Sequence, residues 1–178
     1  KSEYVDGWIR TMCGAALRHN MISVNAIIAL GDRLKGKACR PYSSDMKVRV
    51  DRADMKRFYY PDVQFVCQSN DQLSVFQDRP VLIIEVYHLG LGGMISMKNV
   101  RLSDNPVVGM LNALEQQQPI AIVMRRAKNG FLRETVEGIE ASIDLSFLGC
   151  TLRMREIYDG VEFTPECIQE PEVEYELG

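Results

Sequence analysis

Apolar positions change period several times along the chain, and each change marks an element. From Ala15 to Leu34, Leu17, Met21, Ile22, Val24, Ile27, Ile28 and Leu34 fall on roughly one side at helical spacing, and Gly36 follows. This predicts one amphipathic helix. Between Cys39 and Val50 the period drops to two, with Met46, Val48 and Val50 alternating with Asp45, Lys47 and Arg49, as in a half-buried strand. Asp51 to Lys56 reads as a polar turn. Val63 to Cys67 and Val81 to Val86 are short β-branched runs, and the second is apolar on both faces, as a central strand would be. Residues 87–112, with Gly90, Gly92, Gly93, Pro106 and Gly109, keep no period for long. Order returns at Ile120 to Arg126 and at Phe131 to Val136, the two joined by a Lys128-Asn129-Gly130 hairpin signal. Ala141 to Leu145 and Leu148 to Tyr158 then close the domain.

Composition changes this picture only at the end of the chain. The 178 residues are 46% hydrophobic and 25% charged, which fits one soluble domain. The formal charge of −3 argues against a polyanion binder until the tail is separated. Glu162 to Glu176 holds six Glu and no Lys or Arg, so residues 1–161 carry 21 basic and 18 acidic side chains, a net of +3. The expected organisation is a domain over 1–161 and an acidic tail over 162–178. Five cysteines (Cys13, Cys39, Cys67, Cys150, Cys167) are an odd number without CxxC spacing, which predicts reduced thiols and a cytoplasmic protein rather than a disulfide or zinc framework. No apolar run approaches the length of a membrane span.

Two carboxylates stand out. Asp62 lies in Tyr60-Pro61-Asp62-Val63, and Glu85 lies inside the apolar run Val81 to Val86. An antiparallel hairpin that pairs Cys67 with Pro80 also sets Asp62 opposite Glu85, on one face, with Cβ atoms roughly 4.5–5.5 Å apart. Such a pair can hold Mg²⁺ or Mn²⁺ through oxygen and direct it at a phosphodiester. The plainer reading makes Glu85 the partner of an arginine and Asp62 a strand cap. His19, beside Arg18 and Asn20, is expected to be solvated or hydrogen-bonded rather than a ligand, and His88 supports nothing alone. Arg33, Lys35, Lys37, Arg40, Lys47, Arg49, Arg52, Lys56 and Arg57 could track a phosphate backbone or simply form a solvated face.

Taken in order, Glu3-Tyr4-Val5-Asp6-Gly7, Met12-Cys13-Gly14-Ala15, Arg18-His19-Asn20, Ser44-Asp45-Met46-Lys47-Val48-Arg49, Tyr59-Tyr60-Pro61-Asp62-Val63, Leu82-Ile83-Ile84-Glu85-Val86 and Glu156-Ile157-Tyr158 resemble the Uma-type restriction endonuclease family of the PD-(D/E)xK superfamily. The resemblance covers about 1–86 and 115–163. It implies a restriction-endonuclease-like α/β core, a mixed β-sheet flanked by helices. It also implies metal binding by Asp62 and Glu85 with help from a lysine, DNA as substrate, and action as a homodimer. The alternative is a catalytically silent nuclease-fold module that binds nucleic acid or a protein partner.

The chain departs from the family pattern at three places. Trp8 replaces an acidic residue, Tyr87-His88-Leu89-Gly90 replaces a Ser/Pro-rich turn, and only Lys98 stands near the place of the catalytic helix's Glu-Lys pair. Back-translated and read one base out of phase, the codons of Met94-Ile95 force an Asp, and those of Met97-Lys98 force a Glu followed by Lys or Glu. Residues 87–112 therefore read as a frameshifted translation of the family's active-site helix.

Overall fold

The computed structural model describes residues 2–5, 8–11, 16–52, 55–87 and 108–163. Lys98, His88 and the Glu-rich end beyond residue 163 lie outside them.

The helix predicted near the N-terminus is α1, Leu17–Arg33. Its buried side differs from the one the apolar spacing suggested. Ile22, Ala26, Ala29 and Leu30 face the core with Leu34, whereas Leu17, Val24 and Ile28 are exposed. Apolar residues occupy more than one side of α1, and the side carrying Ala26 and Ala29 is the one on which a helix backbone can approach a sheet closely. Packing outranks side-chain size here.

Among the described residues the strands, in chain order, are β1 (Ser2–Val5), β2 (Trp8–Thr11), β3 (Arg40–Ser43), β4 (Lys47–Arg52), β5 (Met55–Tyr59), β6 (Val63–Val66), β7 (Phe76–Gln77), β8 (Pro80–Tyr87), β9 (Met110–Glu115), β10 (Ile120–Ala127), β11 (Gly130–Glu137), β12 (Ser142–Leu145) and β13 (Cys150–Arg153), with a short helix α2 (Met154–Ile157) after β13. A six-stranded sheet runs β11-β10-β9-β8-β6-β3, a five-stranded one β2-β1-β5-β4-β7, and β12-β13 forms a ribbon. The stretch read as one strand over 39–50 is two. Its first half joins the six-stranded sheet beside β6 and its second half the five-stranded sheet.

β8 is the centre. It pairs antiparallel with β6 and parallel with β9, so the larger sheet is mixed. Period two sends Leu82, Ile84 and Val86 into one core with α1, β12, β13 and α2, while Ile83 joins Val48, Val50, Tyr59 and Val108 in a second core under the β4–β5 hairpin. Both faces of β8 are buried, which is why its run reads as apolar without alternation.

The remaining expectations resolve in detail. The two-residue Lys128-Asn129 loop joins β10 to β11, with Ala127 opposite Gly130, whose φ of 117° a side chain would strain. The turn between β4 and β5 is narrower than 51–56, because Asp51 and Lys56 are themselves paired. β7 and β9 lie in stretches that the pattern left unassigned.

The cysteine expectation is corrected. Cys39 and Cys67 form a disulfide, and Cys150 is the free cysteine among the described residues. Arg40 pairs with Val66 in the β3–β6 ladder, so the next residues outward, Cys39 and Cys67, meet across the two strands. Linear spacing cannot reveal such a contact. Cysteine usage therefore no longer points to the cytoplasm. No helix among the described residues is long and apolar enough to cross a membrane.

Candidate metal and nuclease site

The β6–β8 ladder runs Val63↔Ile84, Gln64↔Ile83 and Phe65↔Leu82, and then shifts at a bulge so that Val66 meets Pro80. The expected register is therefore correct next to the two carboxylates and off by one at the far end, where Cys67 no longer faces Pro80. Asp62 precedes Val63, and Glu85 follows Ile84, so the undistorted half of the ladder leads to the pair.

Asp62 sits in the bend after Pro61. Its Oδ2 accepts a hydrogen bond from the Val86 amide at 2.8 Å, the role that the Pro61 carbonyl would play had β6 started two residues earlier. The strand-cap reading of Asp62 is thus correct, and it leaves room for the metal reading, since capping also fixes the carboxylate in place. Glu85 is 6% exposed, with its Oε1 fully buried. Its partner on β9 is the small residue Ala113. Burying an ionised carboxylate costs several kcal/mol in effective terms, so such a group is retained where it has a job or a partner.

Two neighbours escaped the sequence reading. His19, in the first turn of α1, places Nε2 3.2 Å from Asp62 Oδ2, with side chains 22% and 12% exposed. His19 was expected to be solvated or hydrogen-bonded, and spacing gave no hint that its imidazole would lie against this carboxylate. Gln64, fully buried and two residues after Asp62, donates from Nε2 to the Met46 carbonyl at 2.7 Å and ties β6 to the turn before β4. No sequence signal marks it.

The donors suit a hard divalent ion. Mg²⁺ takes one or two carboxylates and fills its shell with water and phosphate oxygens, so Asp62 and Glu85 match its chemistry. Among the described residues no group of three or more His, Cys, Asp or Glu side chains is placed to hold a metal ion by itself.

The basic residues divide. Arg33, Lys35, Lys37 and Arg40 lie around the end of α1 and the start of β3, and Lys47, Arg49, Arg52, Lys56 and Arg57 lie on the β4–β5 hairpin. Several are engaged. Arg33 grips both oxygens of Glu156 at 2.6 and 2.7 Å, and Arg49 binds both oxygens of Asp78 at 2.7 and 3.0 Å. Burial pushes the Asp78 carboxyl up, but the Arg49 guanidinium and the Asn70 amide outweigh it and hold the group below its usual range. Lys47 and Arg49 also lie over the rings of Phe58 and Phe76, at 5.4 and 4.2 Å.

A family model described as "Putative restriction endonuclease", Uma2, matches residues 1–89. Two Synechocystis sp. (strain ATCC 27184 / PCC 6803 / Kazusa) proteins are similar over part of their length. The protein slr1290 is 33% identical over 87 residues, 48% of this chain and 45% of that protein, and sll1609 is 29% identical over 98 residues, 52% and 53% respectively. The chain thus spans about half the length of the curated relatives it matches. The crystal structure of a "putative nuclease belonging to DUF820" from Anabaena variabilis ATCC 29413 superposes with a TM-score of 0.73 at 12% identity, over 90% of this chain and 91% of that one. That likeness extends past the residues the family model covers, and with the mixed sheet centred on β8 it makes the architecture restriction-endonuclease-like α/β, as the motifs implied. By the family-model match over half its length, the chain belongs to the Uma2 family.

Proposed function

We propose that this chain is a Mg²⁺-dependent or Mn²⁺-dependent DNA endonuclease whose metal is held by Asp62 and Glu85. The observation that carries the reading is the Val63↔Ile84 register, which leads two carboxylates to one end of the β6–β8 ladder, one of them fastened to the Val86 amide and the other buried. When bound, the ion would activate water and offset charge developing on the scissile phosphate. The chain's own contribution is to hold both carboxylates in place, with the two apolar cores packed against opposite faces of β8. Lys98, or the lysine restored by an in-phase reading, is assigned to the developing charge. Two copies acting together would bring two such sites to the two strands of a duplex.

Supercoiled plasmid incubated with Mg²⁺ or Mn²⁺ should be nicked by the wild type and left intact by Asp62→Ala and Glu85→Ala. Equal nicking by both variants sinks the assignment. The departures at Trp8 and over 87–112 favour a second reading, a silent nuclease-fold module. Salt-sensitive DNA binding without cleavage is its signature, because phosphate contacts release counterions.

A further inference from the structure

We propose that His19 is the positioning residue of this site: from the first turn of α1 it holds the Asp62 carboxylate in the orientation that receives the metal. This rests on the assignment of Asp62 as a ligand and adds a residue from a different element to it. The observation is the convergence of two nitrogens on one carboxylate oxygen. The Val86 amide donates to Asp62 Oδ2 at 2.8 Å along the ladder, and His19 Nε2 lies 3.2 Å from the same atom.

One hydrogen bond fixes a point on a carboxylate but lets the group pivot about it. A second donor, arriving from another direction, removes that freedom. α1 packs on the face of the six-stranded sheet that carries Ile84 and Val86, whereas Glu85 shares the opposite face with Ile83. His19 therefore comes to Asp62 from the α1 side of the sheet, whereas the Val86 amide comes from β8.

The helix is a firm support. Its buried side is locked in the larger core, and Asn25 Nδ2 donates to the carbonyls of Ile157 and Asp159 at 3.0 and 2.8 Å. At its far end Arg33 is clamped to Glu156. At the near end Ser23 Oγ donates to the His19 carbonyl at 3.0 Å, fixing the backbone that presents the imidazole. A ligand oriented by such a partner binds its ion more tightly because the ordering is already present before the ion arrives.

The test is Mn²⁺ binding to the DNA-free chain, measured by calorimetry on the wild type, His19→Ala, His19→Gln and Asp62→Asn, with the Tm of each as a folding check. Gln carries an amide nitrogen near the place of Nε2 and can donate to Asp62 in its stead. His19→Ala should weaken Mn²⁺ about tenfold or more, whereas His19→Gln should stay within about threefold of the wild type. His19→Ala binding Mn²⁺ as the wild type does, with or without a lower Tm, overturns the proposal and makes the contact a structural one only. Failure of His19→Gln to restore affinity while folding normally also overturns it. Wild type and Asp62→Asn binding Mn²⁺ equally would bring down the metal assignment itself, and this inference with it. Loss in Asp62→Asn beside an unaffected His19→Ala would bring down the inference alone.

Discussion

The Oδ2 of Asp62 and the amide nitrogen of Val86 are 2.8 Å apart, so the side chain of a residue before β6 completes the hydrogen bonding of a residue on β8. The contact separates stability from chemistry. Asp62→Asn keeps an oxygen for the Val86 amide, whereas Asp62→Ala leaves that amide without its acceptor. We expect Asp62→Asn to change stability little and Asp62→Ala to cost about 1–2 kcal/mol, while both abolish metal-dependent nicking. Denaturant melts beside plasmid assays read the two effects; nicking by Asp62→Asn at the wild-type rate would refute a ligand role.

The Cys39–Cys67 bond closes a loop across the β3–β6 edge, at a sequence separation of 28. Loop-closure entropy predicts about 3–4 kcal/mol of stabilisation. Dithiothreitol should lower the Tm of the wild type and leave a Cys39→Ser/Cys67→Ser double variant unchanged. Equal responses would show that the thiols are not joined in solution.

Tyr158 links the closing segment to the sheet, its hydroxyl donating to the Glu115 carbonyl at 2.7 Å and lying 3.1 Å from that of Ile120. Burial, and then the Glu115 carboxylate, push its ionisation above the ordinary tyrosine range. Its stabilising contribution is therefore fully present below about pH 10 and is lost as the pH rises further, because the unfolded chain ionises there and the folded one resists. Tyr158→Phe should cost about 1–2 kcal/mol at neutral pH and flatten the alkaline fall in stability. An unchanged alkaline limb in the variant would assign that fall to other groups.

Asn112 is 1% exposed on β9, between Ile84 and Val123, and neither its side-chain oxygen nor its nitrogen has a hydrogen-bond partner among the described residues. An unsatisfied buried amide costs about 1–3 kcal/mol, and Leu has nearly the same shape. Asn112→Leu should therefore raise Tm by several degrees; a fall would mean that the amide has a partner.

Asn112 also belongs to the stretch 87–112, which we propose is a frameshifted reading of the family's active-site helix. Restoring the phase across this stretch, so that the forced Asp and Glu and the adjoining lysine return, should raise Mg²⁺-dependent nicking by at least tenfold. No gain from the restored chain would show that residues 87–112 as they stand are the functional ones. Intact mass of the expressed protein fixes which version a given gene encodes.

These residues also show where sequence reading succeeds and stops. β6 and β8 were legible because β-branched runs bounded by polar segments have few other uses, and the Val63↔Ile84 register followed from the same arithmetic that set Asp62 against Glu85. β9 was hidden by its own Asn112 and Glu115, polar residues inside a buried strand, and two-residue β7 is too short to show a period. The exposed stripe Leu17, Val24, Ile28 misled because helical spacing identifies a face without saying which one is buried. The His19–Asp62 contact and the disulfide join residues distant in sequence, and only the packed sheet brings them together.

The bulge between Phe65 and Val66 absorbs one residue at the end of the β6–β8 ladder away from the carboxylates. It makes the strand pair a slide with a stop at one end and an adjustable fit at the other. A residue added or lost between Val66 and Pro80 can be taken up there or in the loop beyond. The same change between Leu82 and Glu85, inside the regular part of the ladder, would turn Glu85 toward α1 and present Ile84 or Val86 to Asp62. Length variation among natural or engineered versions of this chain should therefore gather in 67–81 and be absent from 82–85.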